Sequence, residues 1–301
     1  MIDCACVKRL TSACLSAGGL ALAGLAIHFL FPGEPVYHGK RLSSWVADLH
    51  PRMGEARQQE AELALRAIGT NAVPYLLELL QHREPPLLSG LREFSQRTKT
   101  FLRMDSQLEL PWVAVVERDL QLSAAFAALG PSARPAFPAL TRLLLRPETT
   151  SVSASALARI GPDAFGPLSR ALESPHAEVR AAAAGAIGIM PGDLARIIPA
   201  LQKALADSDK FVRINAVISL GQIAESKPEA VLDDLIGGLR DPSPSVKIFA
   251  ADFLARLGKH ARPAVPELVN MAEGLDRLAS GKAVSALKQI DPETAARLEA
   301  D

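Results

Sequence analysis

The chain has 301 residues, with 33 Lys plus Arg balanced by 33 Asp plus Glu, so its formal net charge is zero. Hydrophobic residues make up 49% and aromatics only 5%, so the apolar content is mostly Ala and Leu, the strongest helix formers. This balance excludes a global field drawing the whole chain to nucleic acid or acidic partners, and the length excludes dependence on disulfide or metal staples.

The N-terminus carries Lys8 and Arg9 ahead of an uncharged stretch from Leu10 to Phe31, about the ~20 residues a helix needs to cross a bilayer. Residues 1–33 are therefore expected to form a membrane anchor or signal segment, with residues 10–31 in the bilayer. Ala21-Leu22-Ala23 offers a small-x-small cleavage site, but the apolar run continues past it, which favours an uncleaved anchor over a cleaved signal. Cleavage would instead release an exported soluble form. The leading positive charges favour a cytoplasmic N-terminus and an extracytoplasmic, periplasmic body, although Lys40 and Arg41 on the other side dilute the bias. All three cysteines (Cys4, Cys6 and Cys14) precede or lie within this stretch, so the remaining chain has no disulfide framework. Cys4-x-Cys6 lacks a second ligand pair to complete a metal shell, and no metal site is expected.

Residues 34–55 read as a linker and a capping helix. Ser43 or Ser44 is expected to cap a helix from near Trp45, which sets Trp45 and Leu49 on one face at i and i+4.

From residue 56 to 301 one pattern recurs: a helix ending in a spaced apolar pair, usually a Gly, a Pro-containing turn, and a second Leu-rich helix. The pairs end at Ile68, Leu129, Ile160, Met190, Ile223, Leu257 and Ile290, separated by 61, 31, 30, 33, 34 and 33 residues. Such a period decides the fold before any other feature. Gly69, Gly130, Gly161 and Gly258 follow their pairs where a helix end favours positive φ. Pro74, Pro138, Pro167, Pro199 and Pro266 fall where second helices are expected to begin, since a first-turn residue has no use for its N–H. Each unit is then a two-helix hairpin too short to bury its own apolar faces, and neighbours must stack. No convincing strand run is present.

The doubled spacing of 61 residues marks an insertion at 82–117 with Pro85-Pro86, a predicted helix over about 91–104, and Pro111-Trp112. Arg92, Lys99 and Arg103 share one face of that helix. They form a candidate surface for an anionic partner such as phosphates or lipid headgroups, the plainer reading being a solvated face.

Val179-Arg180, Val212-Arg213 and Val246-Lys247, each followed by an Ala/Leu/Gly-rich helix end, resemble HEAT repeats, and the resemblance covers roughly residues 55–301. It implies an all-α fold: a right-handed alpha-alpha superhelix, a HEAT-type solenoid of about seven helical hairpins, preceded by the N-terminal transmembrane or signal helix. Asp207 and Asp241 stand six residues before Arg213 and Lys247 and resemble the family's positions that link adjacent hairpins. Ser174 replaces Asp before Arg180. The stretch from Glu34 to Trp45 (EPVYHGKRLSSW) is similar to a segment preceding such repeats in some membrane-associated bacterial proteins of unassigned function.

Registering the second helices on their leucines aligns Glu78, Arg142, Arg170, Lys203, Asp234 and Asn270, so three consecutive repeats present a cation. Arg142, Arg170 and Lys203 are the candidate protein-binding residues, suited to an acidic or carboxylate-bearing partner; the plainer reading is ordinary solvated positions. No nucleophile with its base, paired carboxylates, phosphate-binding Gly loop or spaced pair among the six histidines is legible, so no catalytic residue, cofactor or small-molecule substrate is expected. The expected function is a non-enzymatic protein-protein interaction scaffold tethered to a membrane. The alternatives are a nucleic-acid-binding helical repeat protein, disfavoured by zero net charge and an exported body, and an accessory or lyase-type HEAT-like repeat protein.

Overall fold

The computed structural model describes residues 34–81 and 111–300. The apolar stretch 10–31 and the basic face of Arg92, Lys99 and Arg103 lie outside the described residues. Among the described residues no helix is long and apolar enough to cross a membrane.

The apolar pairs that define the period build the core. Their first members, Leu65, Phe126, Leu157, Ile187, Leu220, Leu254 and Leu287, are each fully buried. At about 1.5–3 kcal/mol per buried large side chain, these positions dominate what holds each hairpin to the next. Among the described residues seven hairpins follow in chain order. They pair α2 (Glu55–Ile68) with α3 (Val73–Gln81), α4 (Pro111–Leu129) with α5 (Phe137–Leu143), and α6 (Thr150–Ile160) with α7 (Phe165–Ala171). Then come α8 (Ala177–Ile189) with α9 (Leu194–Leu205), α10 (Lys210–Ala224) with α11 (Leu232–Gly238), α12 (Pro244–Leu257) with α13 (Val265–Ala272), and α14 (Arg277–Ile290) with α15 (Pro292–Ala300). Each first helix packs on the first helix of the next hairpin, and one apolar cluster runs from Leu42 to Ala295. The described hairpins therefore form an α-solenoid.

Local chemistry sets the hairpin turns. Gly69, Gly130 and Gly258 end their helices at φ 61°, 51° and 54°, a region other residues rarely enter, and each opens a 3-10 turn into the second helix. Pro199 departs from expectation: it sits inside α9, because the Asp193 carboxylate accepts from the Ala195 N–H at 3.0 Å and starts that helix a turn earlier. Helix α4 begins at Pro111, within the expected insertion 82–117, whose residues 82–110 lie outside the described residues.

Helix spacing between hairpins is set by small residues. A Cβ on Gly188 of α8 would stand 2.2 Å from the Ser219 Cβ on α10, and one on Gly221 would stand 2.2 Å from the Phe253 ring on α12. Ser219 turns the close approach into a bond by donating its hydroxyl to the Ala184 carbonyl at 3.0 Å.

Ahead of the hairpins lie β1 (Val36–Tyr37) and β2 (Lys40–Arg41), which pair antiparallel with Val36 opposite Arg41. They are two short strands where the sequence shows no run. The connecting His38 and Gly39 both have positive φ, as a two-residue hairpin requires. The next helix, α1, spans Leu42–Asp48 and has no serine cap. Instead the Glu34 carboxylate, from nine residues upstream, accepts the Ser43 N–H, and the Tyr75 phenol of α3 lies near enough to feel the Glu34 charge. Burial and the Glu34 charge hold the Tyr75 phenol above its ordinary pKa. Trp45 and Leu49 are buried, α1 packs on α2, and the Trp45 Nε1–H donates to the Tyr37 carbonyl at 3.3 Å. Lys40 lies 3.8 Å over the Trp45 ring and pairs with Asp48. The segment thus covers the open end of the first hairpin, which an exposed solenoid end requires.

Candidate functional site

Two lines of polar residues run along the solenoid. The first is internal. Arg180 at the start of α8 grips the Asp207 carboxylate with Nε at 2.7 Å and Nη2 at 2.9 Å, while its Nη1 donates to the carbonyl of Ser174 at 2.9 Å. Arg213 at the start of α10 repeats the arrangement one hairpin on, holding Asp241 at 2.7 and 3.0 Å and the Asp207 carbonyl at 2.9 Å. Each arginine therefore ties two successive inter-hairpin loops together. These side chains are only 10–15% exposed, so the fork-to-fork geometry acts in a partly desolvated setting. The Arg180 hydrogen bonds hold the Asp207 carboxyl below its ordinary pKa against the opposing effect of burial. Hydrogen bonding to the partner carboxylate likewise raises Arg180 and Arg213.

This ladder has two rungs. In the next hairpin Lys247 takes the arginine position, but Gly274 stands where an aspartate would receive it, and no hydrogen bond or ion pair engages the Lys247 side chain among the described residues. One hairpin earlier the position is Ser153, whose hydroxyl is buried without a partner.

The second line is external and runs along the second helices. Leu76, Leu140, Leu168, Leu201, Leu235 and Leu268 are fully buried and register these helices on one another. Two residues beyond each leucine stand Glu78, Arg142, Arg170, Lys203, Gly237 and Asn270. Asp234 therefore leaves the expected column, because Leu235 is the buried leucine of α11 and Gly237 occupies the equivalent position.

Arg142, Arg170 and Lys203 are exposed in the last turns of α5, α7 and α9. Among the described residues no hydrogen bond or ion pair engages the side chains of Arg142 and Arg170. Lys203 reaches back to Glu173 at 3.0 Å, but these side chains are 72% and 66% exposed, and such a pair contributes little and exchanges readily. Cross-links between neighbouring second helices continue beyond: Gln202 donates to Asp234 at 2.9 Å, and Arg240 meets Glu267 at 2.6 Å and holds that carboxyl below its ordinary pKa. The surface changes sign along its length. Glu78 lies before the three cations, and Asp233 and Asp234 on α11 lie after them.

Among the described residues no group of three His, Cys, Asp or Glu side chains is placed to hold a metal ion. What the geometry defines is a class: an α-solenoid of stacked two-helix hairpins with a polar ladder in its loops and a charged face on its second helices. Residues 137–220 and 167–243 match the family model for HEAT repeats. No curated protein matches the chain. Among solved structures, an engineered protein from the Northeast Structural Genomics Consortium is 21% identical with a TM-score of 0.40, over 86% of this chain and 71% of that one. A second engineered protein from the same consortium is 20% identical with a TM-score of 0.40, over 84% and 97%. A chain from the structure of Kap95p with RanGDP is 12% identical with a TM-score of 0.47, over 86% of this chain and 38% of that one.

Proposed function

We propose that the protein is a non-catalytic scaffold: a right-handed HEAT solenoid, held to a membrane by residues 10–31 with its repeats on the extracytoplasmic side, that presents its second-helix face to a protein partner. The observation that carries this reading is the pair Arg142 and Arg170, exposed at equivalent positions of adjacent hairpins and engaged by no other described side chain. A repeat array offers an extended surface without needing a catalytic pocket. Free cations at a fixed repeat interval steer and orient a carboxylate-bearing partner more than they add raw affinity. The membrane part of the reading rests on the Leu10–Phe31 stretch and on Lys8 and Arg9 before it.

The test is a quantitative affinity capture from solubilised membranes with the full-length protein and with the triple variant Arg142→Glu, Arg170→Glu, Lys203→Glu. A partner enriched by the unmodified protein and lost with the variant supports the reading. Identical capture by both removes this face from the account.

A further inference from the structure

The β1–β2 ribbon ahead of the hairpins has an inner and an outer face. We propose that the outer face, formed by Val36 and Arg41, rests in the headgroup layer of an anionic lipid bilayer and seats the solenoid directly on the membrane. The inference rests on the reading of residues 10–31 as a membrane anchor and deepens it by naming the surface that meets the lipid.

Three observations carry it. The first is reach. The apolar stretch ends at Phe31, and only Pro32 and Gly33 separate it from Glu34, the first described residue. Three peptide steps span at most ~11 Å even when fully extended. The headgroup layer on each side of the hydrocarbon core is about 5–8 Å thick. A ribbon rooted that close to the end of the anchor has the headgroups as its nearest neighbour.

The second is that the ribbon is tied to the solenoid through its other face. The Leu42 N–H donates to the Pro35 carbonyl at 2.9 Å, the Ser43 N–H to the Glu34 carboxylate, and the Trp45 indole N–H to the Tyr37 carbonyl at 3.3 Å. Lys40, opposite Tyr37 in the register, lies over the buried Trp45 ring and pairs with Asp48. Tyr37 and Lys40 thus serve the fold, and Val36 and Arg41 do not.

The third is the chemistry of the outer face. Val36 and Arg41 stand directly opposite each other across the two strands, so their side chains share one face, and both are exposed, Val36 by 61%. Among the described residues no hydrogen bond or ion pair engages the Arg41 side chain, whereas the neighbouring carboxylates Glu34 and Asp48 are already occupied. The outward charge is therefore positive, with an apolar side chain beside it. A guanidinium forks onto phosphate oxygens, and a basic residue near an anionic leaflet is attracted to it. A protein partner or a second copy would need about 800 Å² on each side, more than two strands of two residues present.

The experiment uses full-length protein in vesicles of phosphatidylcholine with or without phosphatidylglycerol. Cys4, Cys6 and Cys14 are changed to Ser, and one spin label is placed at position 36 or at exposed position 211 on α10, four hairpins on. Electron paramagnetic resonance compares how often each label collides with membrane-dissolved oxygen and with a water-soluble nickel complex. The oxygen-to-nickel ratio is expected to be severalfold higher at position 36 than at position 211, and to rise further at position 36 when phosphatidylglycerol is present. Arg41→Glu should remove that rise, and Arg41→Lys should keep it. Equal ratios at the two positions, in protein that stays with the vesicles through a carbonate wash, overturn the proposal and leave the anchor reading standing. A ratio at position 36 that ignores phosphatidylglycerol overturns the anionic headgroup as the partner of Arg41. Protein that leaves the vesicles in the wash overturns the anchor reading and the proposal together.

Discussion

Arg213 Nη1 donates to the backbone carbonyl of Asp207 at 2.9 Å, on the same residue whose carboxylate is gripped by Arg180. Asp207 thereby joins two arginines from successive hairpins, and stacking order is written into a chain of charge-assisted bonds as well as into the apolar core. The loops they secure lead into α10 and α12, so the ladder fixes how the central hairpins are set against one another.

Arg180→Ala is expected to destabilise the protein by about 2 kcal/mol, since it removes charged hydrogen bonds and leaves a partly buried carboxylate unpaired. Urea unfolding at neutral pH measures it. A loss under ~0.5 kcal/mol would show that the ladder is decoration on a core-driven stack.

The same pair sets a pH dependence. Arg180 depresses the Asp207 pKa in the folded state, so the unfolded chain binds the proton more readily. The contribution is then fully present above the unfolded value of about 3.9 and disappears as pH falls through the lower folded value. The stability gap between the unmodified protein and Asp207→Asn should therefore be largest near neutrality and shrink below about pH 4. A gap that stays constant down to pH 2 would remove Asp207 as the titrating group.

Gly188→Ala is expected to cost about 2 kcal/mol despite the better helix propensity of alanine. The added methyl would meet the Ser219 backbone at 2.8 Å as well as its side chain, so α8 and α10 have to separate. Gly237→Ala, with open space around its Cβ, should be neutral or mildly stabilising. Thermal denaturation of the two variants checks the contrast.

Glu34→Ala removes the carboxylate that accepts the Ser43 N–H and should loosen the β1–β2 ribbon and the start of α1 while leaving the later hairpins unaffected. Hydrogen exchange should speed up at 36–48 and stay unchanged at 177–290. Uniform acceleration along the whole chain would contradict a local latch.

The repeat was legible because it rests on local rules. Leucines every thirty-odd residues and glycines after them needed only helical periodicity and a positive φ, and Gly69, Gly130 and Gly258 have it. Features that depend on partners distant in sequence were not legible in the same way. Glu34 replaces the expected serine cap from nine residues away, and Arg180 finds its carboxylate 27 residues on. The placement of Asp234 failed because α11 contains several apolar residues and only packing reveals that Leu235 is the buried one. Pro199 misled because the Asp193 cap outweighs proline as a start signal for α9. For the candidate site, the sequence showed the recurring cations but not which were already engaged; the Lys203–Glu173 pair appears only once α7 and α9 are stacked.

The central claim is that the second-helix face, and not the face built by the first helices, meets the partner. Site-specific photo-crosslinking in the membrane decides it, with the reactive residue at Gly166, one turn before Arg170 on the same face of α7, or at exposed Gln222 on α10. Gly166 has open space for the probe. The account predicts a discrete crosslinked protein from position 166 that vanishes when Arg142 and Arg170 are changed to Glu, and none from position 222. A crosslink from 222 alone, or one from 166 that survives the charge reversal, would contradict it.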